Sequence, residues 1–154
     1  MRQDGIALRA QSEIDRLLSL GVIRAEELLP CSEAEVAAID RAIDLRLPES
    51  YRLYLRIMGR GAGRFLKSDH WTAFYDDLLT LNKNVRKNLV GVAVPSDWFC
   101  FATRMGEAYL FFAADGASDD PPIQCWSEAT DPKFETAFRS FWDWIAEMVS
   151  DSAR

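Results

Sequence analysis

Residues 32–63 read SEAEVAAIDRAIDLRLPESYRLYLRIMGRGAG, and the order of caps, stripes and breakers in this stretch decides the fold. Ser32 followed three positions later by Glu35 is a capping box, in which two side chains satisfy the orphan N–H groups of a first helical turn. Val36, Ile39 and Ile43 then fall on one face of that helix. Leu47-Pro48 closes it, and Pro48 can serve as the first residue of a second helix. That helix carries Tyr51, Tyr54, Leu55 and Met58 on one stripe and stops at Gly59. The Gly59 to Gly63 run has neither the Lys-Ser/Thr of a phosphate loop nor a strand before it. It reads as a helix-to-strand connection that needs positive φ.

Upstream, Ile6, Ile14, Leu17, Leu18 and Leu20 mark a helix that Gly21 ends. Downstream, Asp76 to Asn88 reads as a helix capped by Asp76, with Leu78, Leu79, Leu81 and Val85 inward and Lys83, Arg86 and Lys87 outward. The period then changes. Leu89 to Val94 is a short apolar run stopped by Pro95. Trp98 to Thr103 and Glu107 to Ala113 are aromatic-rich strands joined by a hairpin at Arg104-Met105-Gly106. Asp115 to Pro122 is a turn-rich loop, Ile123 to Trp126 is a fourth strand, and a helix is expected from about Lys133 to Val149. Phe134, Phe138, Phe141, Trp142, Ile145, Met148 and Val149 give that helix a broad apolar stripe. The expectation is a single α+β domain over 1–154. A largely antiparallel or mixed sheet of about four to six strands would carry packed helices, with helices at the N-terminus and an aromatic-rich helix at the C-terminus.

The chain has 154 residues, 49% of them apolar and 27% charged, enough to bury roughly 68–70% of its unfolded surface. Its net charge of −6 argues against nucleic acid and anionic membrane as partners. Stretches free of polar residues, such as Tyr109 to Ala114, are too short to span a bilayer. Asp4, Glu13 and Asp15 leave no apolar block for a secretory leader, so a cytoplasmic location is expected. Cys31, Cys100 and Cys125 are too scattered for a disulfide framework.

Charge is unevenly placed. Residues 1–67 hold 11 Lys/Arg and 10 Asp/Glu, whereas residues 68–154 hold 7 and 14. The excess gathers in Asp115, Asp119, Asp120, Glu128, Asp131 and Glu135, with Lys133 alone among them. Such a one-signed region is either a solvated rim or a docking surface for a basic partner. Catalytic signals are missing: His70 is the single histidine, no ligand set has metal spacing, and Asp76 and Asp77 diverge by about 100° on a helix. No catalytic residue, metal or cofactor is expected.

Ser32-x-x-Glu35-Val36, Ile39, Ile43, Leu47-Pro48, Tyr51, Tyr54-Leu55 and Met58-Gly59 together resemble the opening signature of the SUKH superfamily. That family is named partly after a fungal cell-wall synthesis regulator and is abundant in bacteria as immunity proteins of polymorphic toxin systems. The resemblance continues through Gly61-Ala62-Gly63-Arg64-Phe65-Leu66, Tyr75, Asp77-Leu78-Leu79, Asn82, Trp98-Phe99-Cys100-Phe101, Gly106, Tyr109 and Phe111-Phe112. It ends with Asp119-Asp120-Pro121-Pro122-Ile123, Phe138, Phe141 and Trp142. It covers roughly residues 32–150; Arg60 interrupts the family's glycine turn, and residues 1–30 read as a helical extension. Leu47, Pro48, Tyr51, Tyr54, Gly59, Gly61, Gly63, Gly106, Pro122 and Phe141 are signature residues with structural roles. The resemblance implies a non-enzymatic immunity protein, monomer or weak dimer, that binds a cognate toxin domain and neutralises it. A basic nuclease groove would suit the acidic half. Asp115, Asp119, Asp120, Glu128 and Asp131 are the candidate contacts, with Trp71 and Trp126 as aromatic anchors. The alternative is an intracellular scaffold or regulatory adaptor on the same fold.

Overall fold

The computed structural model describes residues 2–89, 91–129 and 134–154. Its helices are α1 (Arg2–Ser19), α2 (Glu33–Ile43), α3 (Glu49–Met58), α4 (Tyr75–Asn88) and α5 (Phe141–Ser152). Its strands are β1 (Leu28–Leu29), β2 (Gly61–Ala62), β3 (Trp71–Thr72), β4 (Trp98–Arg104), β5 (Ala108–Ala113), β6 (Ile123–Ser127) and β7 (Phe134–Phe138). β1 and β2 form a two-stranded ribbon, and β3 to β7 form an antiparallel sheet whose spatial order is the chain order. This is the expected single α+β domain.

The stretch that decides the fold behaves as its residues dictate. Ser32 Oγ accepts the Glu35 N–H at 3.1 Å, and the Glu35 carboxylate accepts the Ser32 N–H at 2.9 Å. At the α2–α3 turn, Asp40 accepts the Leu47 N–H and pairs with Arg52, whose Nε donates to the Leu47 carbonyl at 3.0 Å. Pro48 stands at the N-cap of α3, one place before the first helical residue. Gly59 has ordinary helical dihedrals, so positive φ is not its reason. A Cβ there would lie 2.6 Å from Cys31 Sγ and 2.7 Å from the Leu55 carbonyl. Gly63 does have positive φ, and a Cβ on it would strike the Glu27 carboxylate at 2.6 Å.

Both faces of the sheet are covered. On one, Phe99, Phe101, Ala102, Leu110, Phe112 and Ile123 join a core with α1, α3 and α5. On the other, Cys100, Tyr109 and Phe111 meet Val85 and Leu89 at the end of α4. The register slips between Cys100 and Ala102. This bulge lets Phe101 and Ala102 both serve the first core. Tyr51 lies at its centre, with the rings of Tyr54, Phe99, Phe101, Phe112 and Phe141 all 5.0–6.0 Å away. Offset and edge-on ring pairs of this kind contribute about 0.5–1.5 kcal/mol each beyond area burial. Ile6, Ala10, Ile14 and Leu17 bring α1 into the same core.

Four expectations are corrected. Phe134–Phe138 is a strand, and the last helix starts at Phe141 under Ser140, whose Oγ accepts the Asp143 N–H at 3.1 Å. Phe134, Thr136 and Phe138 fit period two as well as a helical stripe, and pairing with β6 selects the strand. Lys133, where that helix was expected to begin, lies outside the described residues. The Leu89–Val94 run holds no strand among its described residues; Gly91 turns at φ 80. Leu89, Val92 and Val94 instead pack onto the second face of the sheet. Phe74, not Asp76, is the N-cap of α4; Asp76 stands inside the first turn, 3.5 Å from Arg60. Leu79 is exposed rather than inward.

Asn82 closes the part of β4 that β3 is too short to cover. Its Nδ2 donates to the Cys100 carbonyl and its Oδ1 accepts the Cys100 N–H, both at 2.8 Å. The side chain thus replaces a neighbouring strand. Asn82→Leu leaves both backbone groups unsatisfied, at about 1–3 kcal/mol each. The urea midpoint is expected to fall by the equivalent of about 2–4 kcal/mol with an unchanged m-value.

Candidate functional site

The predicted contact residues occupy two ends of the sheet. At one end lies the β5–β6 loop. Asp115 Oδ1 accepts the Ala117 N–H at 2.9 Å, and the Arg46 N–H donates to the Ala114 carbonyl at 3.0 Å. The Ser50 N–H donates to the Asp119 carbonyl at 3.0 Å, which fastens the loop to the start of α3. Asp115 and Asp119 are exposed, and Asp120 is half-buried against Ser140 and Trp142. Asp97 joins them, its carbonyl taking the Ala114 N–H at 2.7 Å. Asp115 and Asp119 enter no ion pair among the described residues. Glu13, Glu33, Glu35, Asp40 and Glu49, by contrast, are neutralised by arginines at positions 9, 16, 52, 56 and 60.

Strand β6 carries the chain to the opposite end, roughly 13 Å away at 3.3 Å per residue. Glu128 lies there, exposed, in a recess of about 440 Å³ with Arg104, Glu107 and Ser127. On the other side of Arg104 is a recess of about 300 Å³ lined by Asp69, Trp71, Met148, Asp151 and Arg154. Arg104 pairs across the ladder with Trp71, and its Nε donates to the Asp69 carbonyl at 3.0 Å. Leu66, His70 and Met105 all have φ between 56° and 69° here. For non-glycine residues this conformation is strained, and such strain collects at binding and switching sites. Met105 is 69% exposed at the hairpin tip.

The two tryptophans do not share a surface. Trp71 is half-buried and meets buried Trp144 edge-on at 5.5 Å, on the α5 face. Trp126 packs on Tyr109 at 5.8 Å, on the α4 face, with its indole N–H enclosed and without a hydrogen-bond partner among the described residues. Asp131 lies outside the described residues. Of the predicted contacts, Asp115, Asp119 and Asp120 therefore form one group, while Glu128 and Trp71 flank the same arginine at the other end. Sequence reasoning missed Asp69, Arg104, Glu107 and Asp151. The one local signal for them was the Met105-Gly106 turn, which demands positive φ from a methionine.

The signature residues sit in the frame. Leu47, Tyr51, Tyr54 and Phe141 are buried, Gly61 pairs with Leu29, Gly106 takes φ 75 in the hairpin, and Pro122 leads into β6. Burial, aided by Glu35, pushes the Cys31 thiol up to about 11. Burial also raises the Cys100 and Cys125 thiols, so all three are protonated near neutrality. No group of three or more His, Cys, Asp or Glu among the described residues could hold a metal ion, and no described helix is long and apolar enough to cross a membrane.

A helix-clad antiparallel meander with charged residues gathered at both ends of its strands defines this as an α+β domain. The SMI1/KNR4 family model (SUKH-1) matches residues 30–147, well over half of the chain, and the chain belongs to that family. No curated protein matches it. Helix α1 precedes the matched segment, yet shares its core.

The hairpin tip carries a test of its own. Paired positive φ at Met105 and Gly106 is the geometry that Asn-Gly adopts most readily. Met105→Asn is expected to raise stability by about 0.5–1 kcal/mol, read as a higher thermal midpoint. A lower midpoint would mean that the Met105 side chain itself holds the turn.

Proposed function

We propose that this protein is a non-enzymatic immunity protein that binds a cognate bacterial toxin domain and neutralises it through its acidic C-terminal half. The reading is supported by membership of the SMI1/KNR4 (SUKH-1) family and by the immunity role that the SUKH resemblance implies. One observation gives it a surface: Asp115 and Asp119 stand exposed on a loop braced by α3, outside any described ion pair. Carboxylates held in this way keep their charge available for a partner, and a basic nuclease groove is the partner chemistry they suit. A one-signed surface speeds encounter and rejects wrong partners. Close charge pairs that become buried in such complexes couple by about 1.5–7 kcal/mol.

Co-expression provides the test. The C-terminal domain encoded by the adjacent upstream gene is induced in a heterologous cytosol with and without this chain, and viable counts are taken. Rescue is expected. Toxicity without rescue would favour the scaffold or adaptor reading, which predicts several host partners rather than one tight one. With a purified toxin domain, the Asp115→Lys/Asp119→Lys variant is expected to associate about tenfold or more slowly at low salt, with a flatter salt dependence. Unchanged kinetics would remove the acidic loop from the interface.

A further inference from the structure

We propose that the recess between Trp71 and the end of α5 is a socket for one arginine side chain of the protein partner, an inference that rests on the partner-binding reading above. Its wall is aromatic and fixed, since Trp71 lines the recess while its ring is braced edge-on by Trp144, itself 1% exposed. Tryptophan is the strongest of the aromatic side chains as a cation receptor. Met148 adds apolar surface for the methylenes of a long side chain.

Two carboxylates complete the socket. Asp69 Oδ2 is enclosed and has no hydrogen-bond partner among the described residues, a costly state for a carboxylate oxygen that an arriving N–H donor would relieve. Asp151 stands at the rim. The residues on either side of this part of the wall are conformationally strained: Leu66 and His70, which bracket Asp69, both hold positive φ. A volume of about 300 Å³ admits a side chain but not a helix.

The chain itself shows which group the recess takes. Arg154 reaches in to place Nη1 2.8 Å from Asp151 Oδ1, and Arg104 rests its Nε on the Asp69 carbonyl. Arg154 is 73% exposed and only three residues from Asp151, the kind of surface pair that contributes little and is readily displaced. Glu107 lies just across Arg104, so among the described residues that line the two recesses Asp69, Asp151 and Glu107 outnumber Arg104 and Arg154, and the field at the mouth favours a cation. A guanidinium fork, unlike an ammonium, can serve two carboxylates while lying flat on an indole. Arginine is therefore the better occupant.

The probes are acetyl-Gly-Arg-Gly-amide and its citrulline counterpart, which is neutral and nearly isosteric. Each is titrated into the whole protein while the tryptophan indole N–H signals are followed by NMR, with Trp71 assigned through Trp71→Phe. The arginine peptide is expected to saturate the Trp71 signal and to bind about tenfold more tightly than the citrulline peptide. Arg154→Gln removes the internal competitor and should tighten arginine-peptide binding several-fold; Asp151→Asn should weaken it. Equal binding of the two peptides, or no saturable change at Trp71, would overturn the socket. Asp151→Arg, a change at the half-buried rim that plugs the mouth, separates this inference from the function it rests on. If it rescues cells as well as the parent, the socket is refuted and neutralisation stands. If the parent itself fails to rescue while the arginine peptide still saturates Trp71, neutralisation is refuted and the socket stands.

Discussion

The ring of Tyr51 is the contact on which the remaining packing depends. It touches aromatic side chains from α3, β4, β5 and α5 at once, so one side chain fixes the distance between the helical layer and the sheet. Its hydroxyl is enclosed without a hydrogen-bond partner among the described residues, which costs about 1–3 kcal/mol. The surrounding aromatic burial outweighs that loss. Phe141 and Trp144 close the cluster from α5, and the Trp142 N–H donates to the Ser50 carbonyl at 3.0 Å. Helix α5 is thereby locked to the first turn of α3, the same turn that holds the acidic loop through Ser50 and Asp119. Core and candidate surface share one brace.

That shared brace explains the division of labour along the chain. The first half uses its charges internally: Arg52 with Asp40, Arg56 with Glu33 and Glu49, Arg60 with Glu35. These pairs hold helix ends and turns in register. In the second half, strands alternate between two covered faces and leave charged residues to the strand ends, where loops reach water. An antiparallel meander has two such ends, and β6 separates their acids by its own length. The acidic half is consequently two surfaces, one a loop that exposes Asp115 and Asp119 and the other a pair of recesses around Arg104.

Where local chemistry settles the structure, the residues could be read directly. The Ser32–Glu35 box, the Tyr51 stripe and the Met105-Gly106 hairpin each need no information beyond a few neighbours. Phe134 to Phe138 could not be read this way, because phenylalanines at 134, 138 and 141 satisfy both periods and pairing with β6 decides between them. Leu89 to Val94 is apolar for covering a sheet face, not for lying in a sheet. Asn82 gave no periodic signal, since its role is to complete the hydrogen bonding of a distant strand. The Arg104 recesses are harder still. Asp69, Trp71 and Asp151 come from the turn before β3, from β3 itself and from the end of α5, and only tertiary folding places them together.

Helices α1 and α5 run in the same direction: Arg9 meets Asp143 at one end of the pair, and Arg16 meets Ser150 at the other. Tension applied between the start of α1 and the end of α5 would therefore shear one helix along the other instead of peeling them apart turn by turn. A protease that pulls on α5 from its C-terminal end works directly against the packing of Trp144, Trp142 and Phe141. The first element to give way would be the one that closes the core, so turnover by mechanical unfolding should be abrupt, with the domain lost as a unit and no trimmed form surviving.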